Sequence, residues 1–287
     1  MNIYDLQYQQ LITDILNNGL DKPDRTGIGS RAVFGKSFTV DLGNGFPIST
    51  IRKVPFRFAF EETMFFLRGE TDTKKLEEKK INIWKGNTSR EFLDNRGLHY
   101  LSEGSIGTGY SHCWRNFGGT LGNKDGIDQI QEFLITAKND PNNRRLNITA
   151  WNPTQNSGTP LPPCHLYQQY GIFGDSLNSL FLMRSTDTIY GLPLNIMSYA
   201  LLNVIFAKYL NLSSGTLTFM GGDVHIYSNQ LAMAKEMVTR PAMELPTLKI
   251  HKNLTTLEDI ESLEYSDVEL VGYISHPDFK NKPPMAI

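Results

Sequence analysis

The chain lacks most of what would commit it to an unusual class. Of its 287 residues only Cys113 and Cys164 are cysteines, too few for a disulfide scaffold and suited to a reducing, cytoplasmic compartment. Neither sign of charge dominates: 28 basic and 30 acidic side chains leave −2, so nothing calls for DNA or RNA as a partner. Met1-Asn2-Ile3-Tyr4-Asp5 has no basic stretch of the kind that opens a secretory signal, and no apolar run has the length and purity of a membrane span. Repeats, low-complexity tracts and linkers are missing too, so residues 1–287 are expected to form one domain. At 40% hydrophobic residues the chain can fill a sizeable core.

The most informative stretch is Pro160-Leu161-Pro162-Pro163-Cys164-His165. Proline fixes φ and cannot continue a helix. Leu166-Tyr167-Gln168-Gln169-Tyr170-Gly171-Ile172 then reads as a strand, so Cys164 is held stiffly at a strand mouth. A lone cysteine is more often a small buried hydrophobe. Turn prolines and the neighbouring His165 imidazole fit an activated nucleophile instead.

The rest of the chain supplies candidate partners. Residues 3–18 have the periodicity of an amphipathic helix. The polar loop over 21–30 carries Arg25, whose guanidinium suits a bidentate anion clamp. A strand is expected over 30–42, with Ala32, Phe34, Phe38 and Val40 on one side. Residues 56–69 read as a helix apolar on most faces, with Glu61 and Glu62 in its middle. Adjacent helical residues lie roughly 100° apart, so at least one of these carboxylates faces protein. It is then either an acid/base group with a raised pKa or half of an ion pair with Arg57 or Arg68.

Residues 104–119 are rich in glycine and aromatics, without the Gly-Lys-Ser/Thr of a phosphate loop, and Tyr110 and His112 are their candidates for proton transfer. Arg144-Arg145 open a strand over 146–151 and offer an anion site or a solvated charge pair. A turn at Asp175-Ser176 leads into a return strand over 177–183, followed by Arg184-Ser185-Thr186-Asp187. The helix over 194–210 is apolar nearly all round, which marks a core helix. Asn195 at its edge is a cap, or an amide reading a ligand's paired donor and acceptor. Beyond a strand over 216–220, His225 and Tyr227 alternate on an extended segment and so share a side. A helix over 228–239 and strands near Leu248 and Val268 follow. Helices and strands intermingle without regular alternation, which indicates an α+β fold.

These spaced motifs together resemble the thymidylate synthase family. They are Asp24-Arg25-Thr26-Gly27, Ile83-Trp84, Arg144-Arg145, Cys164, Arg184-Ser185-x-Asp187, Gly191-x-Pro193-x-Asn195, Gly222-Asp223-x-His225-x-Tyr227 and the terminal Ala286-Ile287. The resemblance implies a large mixed sheet covered by helices, in a homodimer whose sheets pack back to back. It implies dUMP as substrate, 5,10-methylenetetrahydrofolate as cosubstrate and no metal. Cys164 would be the nucleophile that adds to C6, with Glu62, Tyr110, Asn195 and His165 as the other catalytic residues. Arg25, Arg184 and Ser185 would hold the phosphate, joined by Arg144 and Arg145 of the partner subunit. Gln169, Asp187 and Asn195 would complete the nucleotide contacts, and His225 and Tyr227 would meet the 3′-hydroxyl. Trp84, Asn87, Asp187, Ala286 and Ile287 would lie on the folate side, with the tail closing over it.

The departures from the family pattern are local. The loop Ser105-Ile106-Gly107-Thr108-Gly109-Tyr110-Ser111-His112-Cys113-Trp114-Arg115 keeps the tyrosine in a changed frame. Met183 stands where a glutamine usually precedes Arg-Ser, Lys85 replaces an aspartate, and Arg52-Lys53 inverts the usual order. A dUMP hydroxymethylase, in which water meets the methylene in place of hydride, is the alternative on this scaffold. A catalytically silent nucleotide- or RNA-binding member is a further one.

Overall fold

A computed structural model describes residues 1–24, 26–280 and 282–283. Arg25, Ala286 and Ile287 lie outside the described residues.

The longest helix shows how the chain builds its core. Gly191–Leu210 (here α7) follows α1 (Ile3–Asn18), α2 (Phe56–Leu67), α3 (Lys74–Glu78), α4 (Arg90–Asn95), α5 (Tyr110–Asn116) and α6 (Gln129–Asn139). Ile196, Ala200, Leu202, Ile205 and Phe206 on different sides of α7 are all buried, as an all-apolar helix must be. It is long and apolar enough to cross a membrane, but most of it is enclosed by its own protein. Of its buried polar residues, Asn203 uses its amide N–H groups, donating to the Leu177 carbonyl at 2.9 Å and the Ser179 hydroxyl at 2.8 Å.

That bond ties α7 to a six-stranded sheet made of β1 (Leu20–Lys22), β2 (Ser30–Asp41), β3 (Asn147–Thr149), β4 (His165–Phe173), β5 (Ser176–Asp187) and β6 (Ser213–Tyr227). The strand order is β1-β2-β6-β5-β4-β3. All neighbours run antiparallel except β5 and β6, which are parallel. A parallel pair needs a crossover, and α7 is that crossover. The expected α+β class and large mixed sheet are therefore present. After β6 come α8 (Leu231–Met237), a small hairpin of β7 (Thr247–Ile250) and β8 (Val268–Val271), and between these strands α9 (Leu257–Glu261).

Several boundaries differ from expectation. The β4–β5 turn is Gly174-Asp175, one residue early, because Gly174 takes φ +64° and supplies the left-handed position. The strand β5 does not stop at Met183 but continues through Arg184–Asp187, held by pairing with β6 as far as Asp187–His225. β6 likewise runs unbroken through Gly221-Gly222. Residues 110–116 form a helix that the surrounding glycines conceal. Phe34 keeps the register of Ala32 and Val40 in its pairing with β6 but is 83% exposed, beside Gly35 at φ +70°.

One apolar cluster extends from Tyr4 in α1 to Val268 in β8. Phe206 sits inside it with its ring 5.0 Å from Phe133 and 5.5 Å from Tyr170. Phe206→Ala should cost about 3–5 kcal/mol of stability. A urea titration should show a lower midpoint at unchanged slope.

Candidate active site

The prolines deliver Cys164 to the place the sequence suggests. The strand β4 begins at His165, and the residue before it faces a cavity of about 760 Å³. That is the size of a small-molecule site, which runs to roughly 300–1,000 Å³. The backbone at Cys164 is pinned on both sides. Its N–H donates to the Tyr110 hydroxyl at 2.7 Å, and its carbonyl accepts from the Arg184 N–H at 2.8 Å.

Arg184 reaches the same spot from β5. Its guanidinium donates to the carbonyls of Pro163 at 2.9 Å and Pro162 at 2.7 Å, which prolines leave without competing N–H groups nearby. One nitrogen lies 3.8 Å from the Cys164 Sγ. The carbon of the guanidinium stands 5.8 Å from the Trp151 ring centroid. A guanidinium has five N–H donors, so this anchoring leaves capacity for a ligand anion. Ser185 follows Arg184 on the cavity wall.

His165 does not turn toward the sulfur. Successive strand residues point to opposite faces, and its Nδ1 pairs with the Tyr199 hydroxyl at 2.7 Å. The ring stacks on Tyr110 at 4.1 Å and 18°. Burial pushes its pKa down to about 3, so the imidazole stays neutral. The sequence expectation of a thiol flanked by an activating imidazole is therefore redirected: the basic group beside the sulfur is Arg184.

Glu61 and Glu62 divide the two readings between them. Glu61 is the ion-pair partner, with Lys79 at 2.6 Å and Arg57 at 3.9 Å. Arg68 instead pairs with Glu264 at 3.1 Å. Glu62 lines the cavity, and its Oε1 accepts from the Trp84 indole N–H at 2.7 Å. Burial pushes its carboxyl up to about 7, against the indole hydrogen bond, which favours the charged form. Tyr110 is also raised by burial, so it is a neutral phenol; its oxygen accepts from Cys164, which frees its own O–H to donate.

Asn195 lines the cavity from the second turn of α7, not from its cap. The Asp187 carboxyl is raised by burial and accepts the N–H groups of Ile189 and Tyr190 at 3.0 and 3.2 Å. His225, Tyr227, Trp84 and Asn87 all reach the same cavity. Next to the lining residue Gly191, Tyr190 donates to the Pro283 carbonyl at 2.8 Å, and buried Arg52 donates to the Ile189 carbonyl at 2.7 Å.

Gln169, expected at the nucleotide, lies elsewhere: with Arg144 it lines a separate depression of about 800 Å³. Arg144 and Arg145, expected to serve the partner's site, are exposed and do not line this cavity. Alternation on β4 explains Gln169: Gln168 turns inward to accept from Tyr170 at 2.7 Å, so its neighbour turns out. His112 is buried against the Gly119 carbonyl at 3.1 Å and does not line the cavity. Cys113 is fully buried, with its thiol pushed up to about 12. Lys22 was not singled out from sequence, and Asp223 entered only as part of a motif without a role; they form a 2.6 Å ion pair at the cavity edge, across 201 residues of chain that no local pattern bridges. Among the described residues no group of three or more His, Cys, Asp or Glu gathers as a metal site.

The thymidylate synthase family model matches residues 6–286. The chain is 39% identical over 282 residues to a bifunctional dihydrofolate reductase-thymidylate synthase of Paramecium tetraurelia, covering 96% of this chain and 60% of that one. It is 41% identical over 288 residues to the bifunctional protein of Leishmania major and 37% over 284 residues to that of Zea mays, each covering 97% of this chain and 55% and 54% of the relative. The chain thus spans about half the length of the curated relatives it matches.

The Glu62 carboxyl gives a pH signature. A carboxyl raised from 4.5 to about 7 in the folded state contributes stability below pH 4.5 that is lost as pH rises through 7. Glu62→Gln should remove this decline. Urea titrations at pH steps from 4.5 to 8 should show a smaller fall in stability for the variant than for the parent.

Proposed function

The chain belongs to the thymidylate synthase family, and on that premise we propose that it methylates dUMP to dTMP with 5,10-methylenetetrahydrofolate, releasing dihydrofolate. The observation that carries this reading is Cys164, pinned at the cavity wall with the Arg184 guanidinium 3.8 Å from its sulfur. A cation beside a thiol favours the thiolate, the nucleophilic form.

In this reading the Cys164 thiolate adds to C6 of the pyrimidine, and the displaced electron pair makes C5 a carbon nucleophile. C5 takes the one-carbon unit from the folate and loses its proton. The folate then departs, its hydride reduces the exocyclic methylene to methyl, and the thiolate leaves C6. Glu62 suits the proton traffic at the pyrimidine carbonyl, since a carboxyl titrating near 7 can both give and take a proton. Tyr110 directs its free O–H toward the C5 side. His165, neutral and stacked on Tyr110, holds that ring in place. Asn195 reads the uracil edge with both a donor and an acceptor. Arg184, Ser185 and Arg25 take the phosphate, His225 and Tyr227 the 3′-hydroxyl, and Trp84, Asn87, Asp187 and the tail to Ile287 the folate.

We read residues 1–287 as one domain and the assembly as a homodimer, in the cytoplasm, where thiolate chemistry finds a reducing compartment. Arg144 and Arg145 lie away from their own chain's cavity, with solvent-exposed side chains, which supports lending them to the partner's phosphate site. Exposed Phe34, Phe173 and Met220 supply apolar surface for sheet-to-sheet contact.

One incubation with dUMP and the folate tests the reaction. Thymidylate and dihydrofolate should form in equal amounts, by mass spectrometry and absorbance; hydroxymethyl-dUMP without dihydrofolate would overturn the methylase reading. Cys164→Ala should lower turnover by roughly a thousandfold or more while dUMP binding persists.

A further inference from the structure

The strand β6 sends Asp223, His225 and Tyr227 to one side, and all three line the cavity. The His225 Nδ1 lies 2.8 Å from Asp223 Oδ1, and the other carboxylate oxygen takes Lys22 Nζ at 2.6 Å. The Tyr227 ring meets the imidazole edge-on at 5.0 Å and 82°. His225 is 8% exposed, so its ring is set by these neighbours and not by water. Resting on the nucleotide reading above, we propose that Asp223, steadied by Lys22, is a positioning residue that fixes the tautomer of His225 and makes it a hydrogen-bond acceptor for a free sugar hydroxyl.

The reasoning is one of donor and acceptor counts. Burial works against charge on Asp223, yet the bonds from Lys22 and His225 hold its pKa below the ordinary range. An ionised carboxylate only accepts, so Nδ1 must carry the hydrogen. In the neutral ring Nε2, on the far side, is then left with a lone pair. A lone pair aimed at a ligand selects a group that has a hydrogen to give. A sugar hydroxyl has one; a dideoxy sugar, a 3′-O-methyl ether or a 3′-phosphate dianion does not. From the backbone side Asp187 pairs in register with His225, but its Oδ1 is engaged by the N–H groups of Ile189 and Tyr190. Asp187 also acts on the imidazole electrostatically, but the carboxylate hydrogen-bonded to Nδ1 is that of Asp223.

Two measurements test this. Long-range proton–nitrogen NMR of the histidine-labelled protein, with His225 assigned by His225→Gln, reads the tautomer without any ligand. The hydrogen should sit on Nδ1 in the parent and be redistributed between the nitrogens in Asp223→Asn, whose amide can turn either atom to the ring. Calorimetric binding of dUMP and of 2′,3′-dideoxyuridine 5′-monophosphate reads the consequence. The parent should prefer dUMP by about tenfold or more, the worth of one buried hydrogen bond. Asp223→Asn should reduce this to about threefold or less by weakening dUMP while leaving the dideoxy compound's affinity unchanged. An Nε2-protonated parent, or an unchanged tautomer and preference in Asp223→Asn, would overturn the proposal. A parent that binds both compounds equally overturns the hydroxyl role alone. A parent that binds neither overturns the nucleotide reading, and the NMR result then still decides what Asp223 does to His225.

Discussion

The hydrogen bond from the Cys164 N–H to the Tyr110 hydroxyl joins the two halves of the site, and most of the remaining geometry depends on it. On one side lies the strand mouth, with Arg184 laid across the carbonyls of Pro162 and Pro163. On the other lies α5, which is itself clamped. Arg115 at its end bonds Asp128 at 2.8 Å, Glu261 at 2.6 Å and the Leu67 carbonyl, so α5 is tied to α6, α9 and the end of α2. Glu62 rides on α2, and Phe66 of the same helix stacks on Tyr110 at 4.9 Å. A shift of the phenol would move sulfur, carboxyl and imidazole together.

The cavity has two electrical halves. Around Glu62, Tyr110 and His165 desolvation rules: acids are raised and the base lowered, so all are biased toward neutral forms. Around Lys22, Asp223 and Arg184 partners are at hand: bonds from Lys22 and His225 hold the Asp223 carboxyl below its usual range, and Arg184 is anchored on backbone carbonyls. A substrate with an ionised phosphate at one end and an uncharged ring at the other fits that division. In the proposed reaction, anion binding and proton transfer would fall to different residues.

Much of this was legible in the chain. Three prolines before Cys164 mark its stiff presentation because their φ restriction acts locally, and an all-round apolar run marks α7 as the core. What escaped depended on distance or phase. Glu61 and Glu62 differ by one helical step, and Lys79 on another segment, together with Arg57, settles which of them is ion-paired. Gln168 and Gln169 differ by one strand step, and only the sheet's inner face decides which is buried. Lys22 meets Asp223 because β2 and β6 pair, a long-range register no local pattern contains. The helix α5 was masked by flanking glycines, and the continuation of β5 past Met183 came from its parallel neighbour.

The two thiols of the chain live in opposite chemical worlds. Cys113 is sealed in the core with its thiol pushed up to about 12, and Cys164 opens on the cavity beside a guanidinium. A soft, thiol-selective electrophile small enough to enter meets one open cysteine thiol in the folded chain. The fold therefore provides its own one-site chemical handle: covalent labelling counts competent sites rather than protein, and a second equivalent of label reports unfolding.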